Sequence, residues 1–189
     1  MNPIERSAKL KKEADELLRD IRLEELCRDI GKVTPTGSYY LDLMIYPDID
    51  VYLPPAKPRQ LFQIAAHLVE NHPVVRVNFL NGGPGPLRNA LYIKPVIAIG
   101  EWERPWKIDI WAVEQSFIDD KTAELDSFVE RMTPEQRELI LNYKYAILNE
   151  EGRTPMFSGI YIYRAVIDHG LSRFSDISGY LRENPINPG

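Results

Sequence analysis

The chain has 189 residues, 44% of them hydrophobic and 27% charged, a globular composition large enough for one domain with a real core or a domain with a small appendage. Its formal net charge of −5 is the wrong sign for a protein that coats nucleic acid; it disfavours nucleic acid as a partner and suits a cationic or metal-bound ligand. No apolar run reaches bilayer-spanning length, and the opening MNPIERSAKLKKEADE lacks the apolar heart of a secretory signal, so no membrane partner and a cytoplasmic location are expected.

In chain order, residues 3–30 read as one helix: Asn2 caps it, Pro3 suits its first turn, Leu10, Leu17, Leu18, Ile21 and Leu26 recur at helical spacing, and Gly31 stops it. Cys27, the single cysteine, falls inside and reads as a small buried hydrophobe rather than a nucleophile. A short strand is expected over 32–36, and DIDVYLP (48–54) is a strand ended by Pro54-Pro55. PRQLFQIAAHLVENH (58–72) is a helix with Leu61, Ile64, Ala65 and Leu68 on one face. Val74–Leu80 alternates as a strand, NGGPGP (81–86) is turn chemistry, and Ala90–Ile99 pairs back as a hairpin. PWKIDIWAV (105–113) is the last strand.

Beyond Phe117 there is no strand pattern. TPEQRELILNYKYAILNEEG (133–152) begins with a Thr133 cap and Pro134, and SGIYIYRAVIDHG (158–170) and SRFSDISGYLREN (172–184) read as two more helices. The predicted fold class is α+β: a mixed sheet of about five strands with flanking helices over 1–117, and a C-terminal helical region over 118–189.

The stretch TGSYYLDLMIYPDIDVYLP (36–54) carries the chemistry. Strand interiors usually exclude aspartate, yet Asp48 and Asp50 alternate with Ile49 and Val51. Side chains two apart share a strand face, so both carboxylates point one way while Ile49 and Val51 enter the core. Asp109, in Lys107-Ile108-Asp109-Ile110-Trp111, is set among apolar residues in the same manner. If the strands are neighbours, three carboxylates converge and can hold hard divalent cations, including a pair about 3.5–4 Å apart suited to in-line phosphoryl displacement. Gly37-Ser38 follows a short strand; a glycine lets backbone N–H groups approach a phosphate and the serine hydroxyl adds a donor.

Gly37-Ser38, nine intervening residues, Asp48-Ile49-Asp50-Val51 and a later strand aspartate form a pattern that resembles the DNA polymerase β-like nucleotidyltransferase superfamily, including its antibiotic-modifying members, over residues 25–115. The resemblance implies that Asp48, Asp50 and Asp109 hold two divalent cations, Mg²⁺ or Mn²⁺. It implies that Asp109 serves as base or orients the acceptor, and that Gly37 and Ser38 grip the β and γ phosphates of an NTP such as ATP. Some members place a lysine on a helix behind the acids to meet the triphosphate; Lys144, in LNYKYAIL, is the matching position here, a solvated helix lysine being the alternative. The implied activity is transfer of a nucleoside monophosphate to an acceptor hydroxyl, with a cationic or neutral small molecule as the expected acceptor. A second reading keeps the fold but makes it a catalytically inactive module that binds a nucleotide or a protein partner, supported by the apolar spacer YYLDLMIYP, which holds no basic residue.

Other residues are expected to be structural. Taken alone, Asp48 and Asp50 after Pro47 are also compatible with a turn, and Asp42 reads as a surface turn residue. Arg76 shares a face with Val74 and Asn78 and either lines the cleft or is exposed. His67, His72 and His169 do not form a zinc pattern. RAVIDHGLSRFSDISGYL has a helix-turn-helix look, with packing as its expected role, and NGGPGP lacks the Lys-Ser/Thr of a P-loop.

Overall fold

The protein is described by a computed structural model covering residues 1–83, 87–150, 152 and 159–184. Five strands, β1 (Thr34–Thr36), β2 (Asp48–Leu53), β3 (Val74–Asn81), β4 (Leu91–Ile97) and β5 (Trp106–Ala112), form one sheet in the order β1-β2-β5-β4-β3. Only β2 and β5 run parallel; the other pairs are antiparallel, so the sheet is mixed as expected. β3 and β4 form the expected hairpin, although residues 84–86 of its NGGPGP turn lie outside the described residues.

Strand alternation divides the sheet into an apolar and a polar face. Ile49, Val51, Leu53, Ile93, Ile108 and Ile110 enter one core with Leu10, Ala14 and Leu17 of helix α1 (Pro3–Asp20) and with Leu61, Ile64 and Leu68 of α4 (Pro58–Asn71). Cys27 is buried in the same core, where desolvation pushes its thiol up to about 12, as a small hydrophobe requires. A bulge between Val74 and Arg76 corrects the sequence reading of β3: Val74 packs on the core while Arg76 stays on the polar face with Asn78.

The long helix expected over 3–30 is two helices, α1 and the short α2 (Leu23–Leu26), broken at Arg22 with φ 53°. Ile21 and Leu23 are both about 1% exposed in the core. Residues two apart lie on opposite sides of a straight helix, so burying both requires the break.

A second core joins the helices of the C-terminal half: α5 (Gln115–Arg131), α6 (Pro134–Ala146), α7 (Gly159–Tyr163) with a following π-helical turn (Arg164–Asp168), and α8 (Phe174–Glu183). α5 is absent from the sequence reading, and α6 ends at Ala146, short of the expected 152; residues 151 and 153–158 lie outside the described residues. The spacer of residues 39–47 links the two cores. Tyr39 and Met44 pack into the first, and Leu41, Leu43 and Ile45 into the second. Its turn holds Asp42 at φ 54°, where the carboxylate meets Arg137 of α6 at 2.6 Å and the backbone oxygen accepts from the Ser7 hydroxyl at 3.2 Å.

Arg6 fastens α1 to the same spacer. It is buried, its Nε donates to the Ile45 oxygen at 2.6 Å, and its other nitrogens meet Glu103 at 2.9 and 2.6 Å. Removing a charged donor from a buried acceptor typically costs about 1.5–3 kcal/mol. Arg6→Ala is therefore expected to lower stability in urea by that amount. Lys12→Ala, which removes an exposed pair at 3.8 Å to Glu16, should change it by less than about 0.5 kcal/mol.

Candidate active site

On the polar face, the parallel register sets Asp50 opposite Asp109, with Asp48 one alternation away on β2. Ligand atoms of the three carboxylates lie within 4.8 Å of one another. Asp48 and Asp109 are buried and Asp50 is half-buried. Desolvation raises the Asp50 carboxyl well above its ordinary range, with Asp48 and Asp109 adding like-charge repulsion; burial raises Asp48 as well.

One cation restrains this repulsion. The Lys107 ammonium lies 2.9 Å from Asp48 Oδ2 and 2.8 Å from Asp109 Oδ2. Burial pulls Lys107 down, but the two carboxylates outweigh it and hold the ammonium above its usual range. The Tyr92 hydroxyl donates to Asp109 Oδ1. Asp48 Oδ1 is left buried with no hydrogen-bond partner among the described residues. Lys107 and Tyr92 went unnoticed in the sequence, although strand alternation places both on the face of Asp109: Lys107 two residues before it, and Tyr92 opposite Trp111.

Gly37 begins helix α3 (Gly37–Tyr40) at φ +62°, and a Cβ there would stand 2.5 Å from Asp50 Oδ2, so only glycine lets this turn lie against the acids. Ser38 follows at the cleft surface. The Ser38 backbone oxygen accepts from the Leu43 N–H at 2.9 Å, and the Leu43 oxygen accepts from Lys144 Nζ. Lys144 also donates to the Tyr163 hydroxyl at 3.2 Å and is 2% exposed, so it is not a solvated helix lysine. Burial lowers its ammonium to about 7, against an opposing pull from Asp48 and Asp50. Gly37, Ser38, Asp48, Asp50 and Lys144 together line a cleft of about 260 Å³. α5 contributes Lys121 and Glu124 to its rim, residues that the sequence reading did not consider.

A solved structure of a cytoplasmic RNA terminal U-transferase superposes with a TM-score of 0.55 at 16% identity, over 82% of this chain and 47% of that one. A structure of Cid1, described by its RNA terminal uridylyl transferase activity, gives 0.56 at 17% identity, over 84% of this chain and 46% of that one. The chain shares the nucleotidyltransferase fold of these two structures. This chain spans about half the length of the nucleotidyltransferase structures it matches. No family model matches it, and no curated protein matches its sequence.

Three carboxylates, one with an orphaned buried oxygen, supply the donor set that a hard divalent cation prefers. A cation bound there competes with Lys107 for Asp48 Oδ2 and Asp109 Oδ2. Lys107→Met should therefore lower the melting temperature in metal-free buffer, and millimolar Mg²⁺ should raise the variant's melting temperature more than that of the wild type. Differential scanning fluorimetry checks both shifts; a melting temperature insensitive to Mg²⁺ in both proteins would leave the carboxylates without a metal role.

Proposed function

We propose that the protein is a metal-dependent nucleotidyltransferase that moves a nucleoside monophosphate from an NTP to an acceptor hydroxyl. The observation that carries this reading is the convergence of Asp48, Asp50 and Asp109 beside a cleft whose other wall is Gly37, Ser38 and Lys144. In this reading Asp48 and Asp50 hold two divalent cations, Mg²⁺ or Mn²⁺, with Asp109 completing the set. Such ions polarise the phosphoryl oxygens and neutralise charge developing in the transition state.

The chain's own residues divide the remaining work. The Gly37 turn and the Ser38 hydroxyl grip the β and γ phosphates, and Lys144 supplies positive charge to them from beneath. Asp109, once released by Lys107, takes the acceptor's proton while Tyr92 fixes its orientation through Oδ1. The hydroxyl oxygen forms a bond to the α-phosphorus, the α–β bridging bond breaks, and pyrophosphate leaves with that electron pair. The acceptor is a hydroxyl on a small molecule or on a nucleic-acid end. The acidic balance of the whole chain does not decide between them, since the solved structures of similar fold are described as RNA terminal uridylyl transferases.

The Lys107 bridge favours a second reading, an inactive module whose acids are permanently neutralised by their own lysine. Transfer of labelled nucleotide to a panel of RNA oligonucleotides, amino sugars and sugar phosphates separates the two. The first reading expects Mg²⁺-dependent transfer by the wild type and background levels for Asp50→Asn, with the variant folded and no less stable in metal-free buffer. Wild-type protein that shows neither turnover nor stabilisation by Mg²⁺ with NTP supports the second.

Lys144 adds a dependence on pH. With its ammonium lowered to about 7, it is only partly charged in the free protein at neutrality. A triphosphate beside it raises that value, so binding draws in a proton. The affinity owed to Lys144 is fullest below about pH 7 and declines as the pH rises beyond it. The ratio of wild-type to Lys144→Met affinity for a non-hydrolysable NTP should therefore fall between about pH 6 and pH 9. A ratio that stays flat in calorimetric titrations would remove Lys144 from the nucleotide site.

A further inference from the structure

On the far side of the carboxylates lies a second cavity, of about 280 Å³, that the proposed chemistry has not yet used. It shares Tyr46 and Asp48 with the nucleotide cleft, so Asp48 stands at the boundary between the two. Its remaining polar lining is Arg76, Lys94, Arg104 and Lys107. Strand register explains the clustering. Arg76 on β3, Val96 on β4, Lys107 on β5 and Asp48 on β2 are successive partners in one row across the sheet. Lys94 pairs with Asn78 in the next row of the same face. Arg104 comes from the connection between β4 and β5 and lies over the Tyr46 ring, 5.2 Å from its centre.

Lys107 is neutralised by Asp48 and Asp109, but among the described residues no carboxylate pairs with Arg76 or Lys94. In a chain of net charge −5, Arg76 and Lys94, set together on one concave face without carboxylate partners, make a local field of opposite sign to the whole. It attracts anions and opposes a cationic amino sugar. In-line displacement places the attacking oxygen opposite the leaving pyrophosphate. If the triphosphate lies on the Ser38 and Lys144 side, the acceptor enters from the side of Arg76 and Lys94.

We propose that this groove is the acceptor site and that the acceptor bears phosphate, with Arg76 and Lys94 as its principal contacts. The proposal deepens the nucleotidyltransferase reading and rests on it for the word acceptor, but its test needs neither metal nor turnover. Phosphate of this kind comes from a polynucleotide end or from a small phosphorylated metabolite, and the two sources are separable.

Binding would be measured in EDTA by fluorescence anisotropy for a labelled single-stranded RNA 12-mer, and by calorimetry for ribose 5-phosphate and for kanamycin. Wild-type protein, Arg76→Ala/Lys94→Ala and Arg76→Glu/Lys94→Glu would be compared, each checked for an unchanged melting transition. At least one phosphate-bearing probe should bind; binding of RNA identifies a polynucleotide acceptor, and binding of ribose 5-phosphate alone a small one. The alanine pair should weaken that binding at least about tenfold, the glutamate pair further, and neither should alter affinity for a non-hydrolysable NTP. For RNA, losing two phosphate contacts should reduce the slope of log affinity against log salt by about 1.4. The proposal is overturned if no phosphate-bearing probe binds, if the variants bind as the wild type does, or if kanamycin binds more tightly than either probe. Groove binding without transfer would leave this site standing and defeat the enzymatic reading; transfer by the charge-reversed variant at the wild-type rate would do the reverse.

Discussion

Parallel pairing of β2 with β5 sets one carboxylate against another. Asp50 and Asp109 are register partners, and Asp48 stands one alternation away on a face where burial already disfavours ionisation. Like charges so placed stay ionised only with a cation between them; otherwise a proton is taken up and one becomes neutral. Much of the surrounding structure answers that constraint. Lys107 on β5 pairs with Asp109 of its own strand and reaches across to Asp48, Tyr92 supplies a hydrogen bond to the other oxygen of Asp109, and Gly37 gives up a side chain so that its turn can lie against Asp50. A site assembled around a charge it cannot stabilise alone is predisposed to exchange its internal ammonium for an external cation.

The apolar spacer between Gly37-Ser38 and the acids serves the same end by mechanical means. Leu41, Leu43 and Ile45 pack among the C-terminal helices, whereas Tyr39 and Met44 pack under the sheet. A basic residue in place of Leu41, Leu43, Met44 or Ile45 would have to be buried between two cores. The charge that such residues would have supplied comes instead from Lys144 on α6, brought to the cleft by its bond to the Leu43 oxygen. The feature that favours a binding module when read as sequence is thus a packing requirement, and it also positions the Lys144 ammonium at the cleft.

What was legible in the sequence is what period two encodes. DIDVYL and WKIDIWA each alternate acid or polar residues with core residues, and that alternation alone places Asp48, Asp50 and Asp109 on one face. The same rule places Lys107 and Tyr92 there too, and they were overlooked because no motif drew attention to them. Other features lay beyond any single-element pattern. The break at Arg22 follows from the need to bury both Ile21 and Leu23, the bulge at Val75 from the match between β3 and β4, and the burial of Lys144 from contacts with a spacer a hundred residues upstream. α5 was missed for a weaker reason: QSFIDDKTAELDSFVER buries Ile118, Leu125 and Phe128 against a mostly polar remainder, leaving little periodicity to read.

The two sides of the triad differ in how their positive charge is held. On the nucleotide side it resides in a buried ammonium whose burial lowers it to about 7, so its charge depends on what binds. On the groove side it resides in the Arg76 and Arg104 guanidinium groups, which stay protonated at any physiological pH, and in the Lys94 ammonium on the polar sheet face. A buried, titratable lysine discriminates by desolvation: it favours a ligand that both fills the cleft and brings charge. Accessible arginines discriminate by field and weakly by shape, and so tolerate many partners of one sign. In the proposed reaction, such a division would assign selectivity to the nucleotide and leave breadth to the acceptor. The bulk charge of −5 does not report this arrangement: Arg76 and Lys94 stand in neighbouring rows of one sheet face, and composition cannot register where they stand.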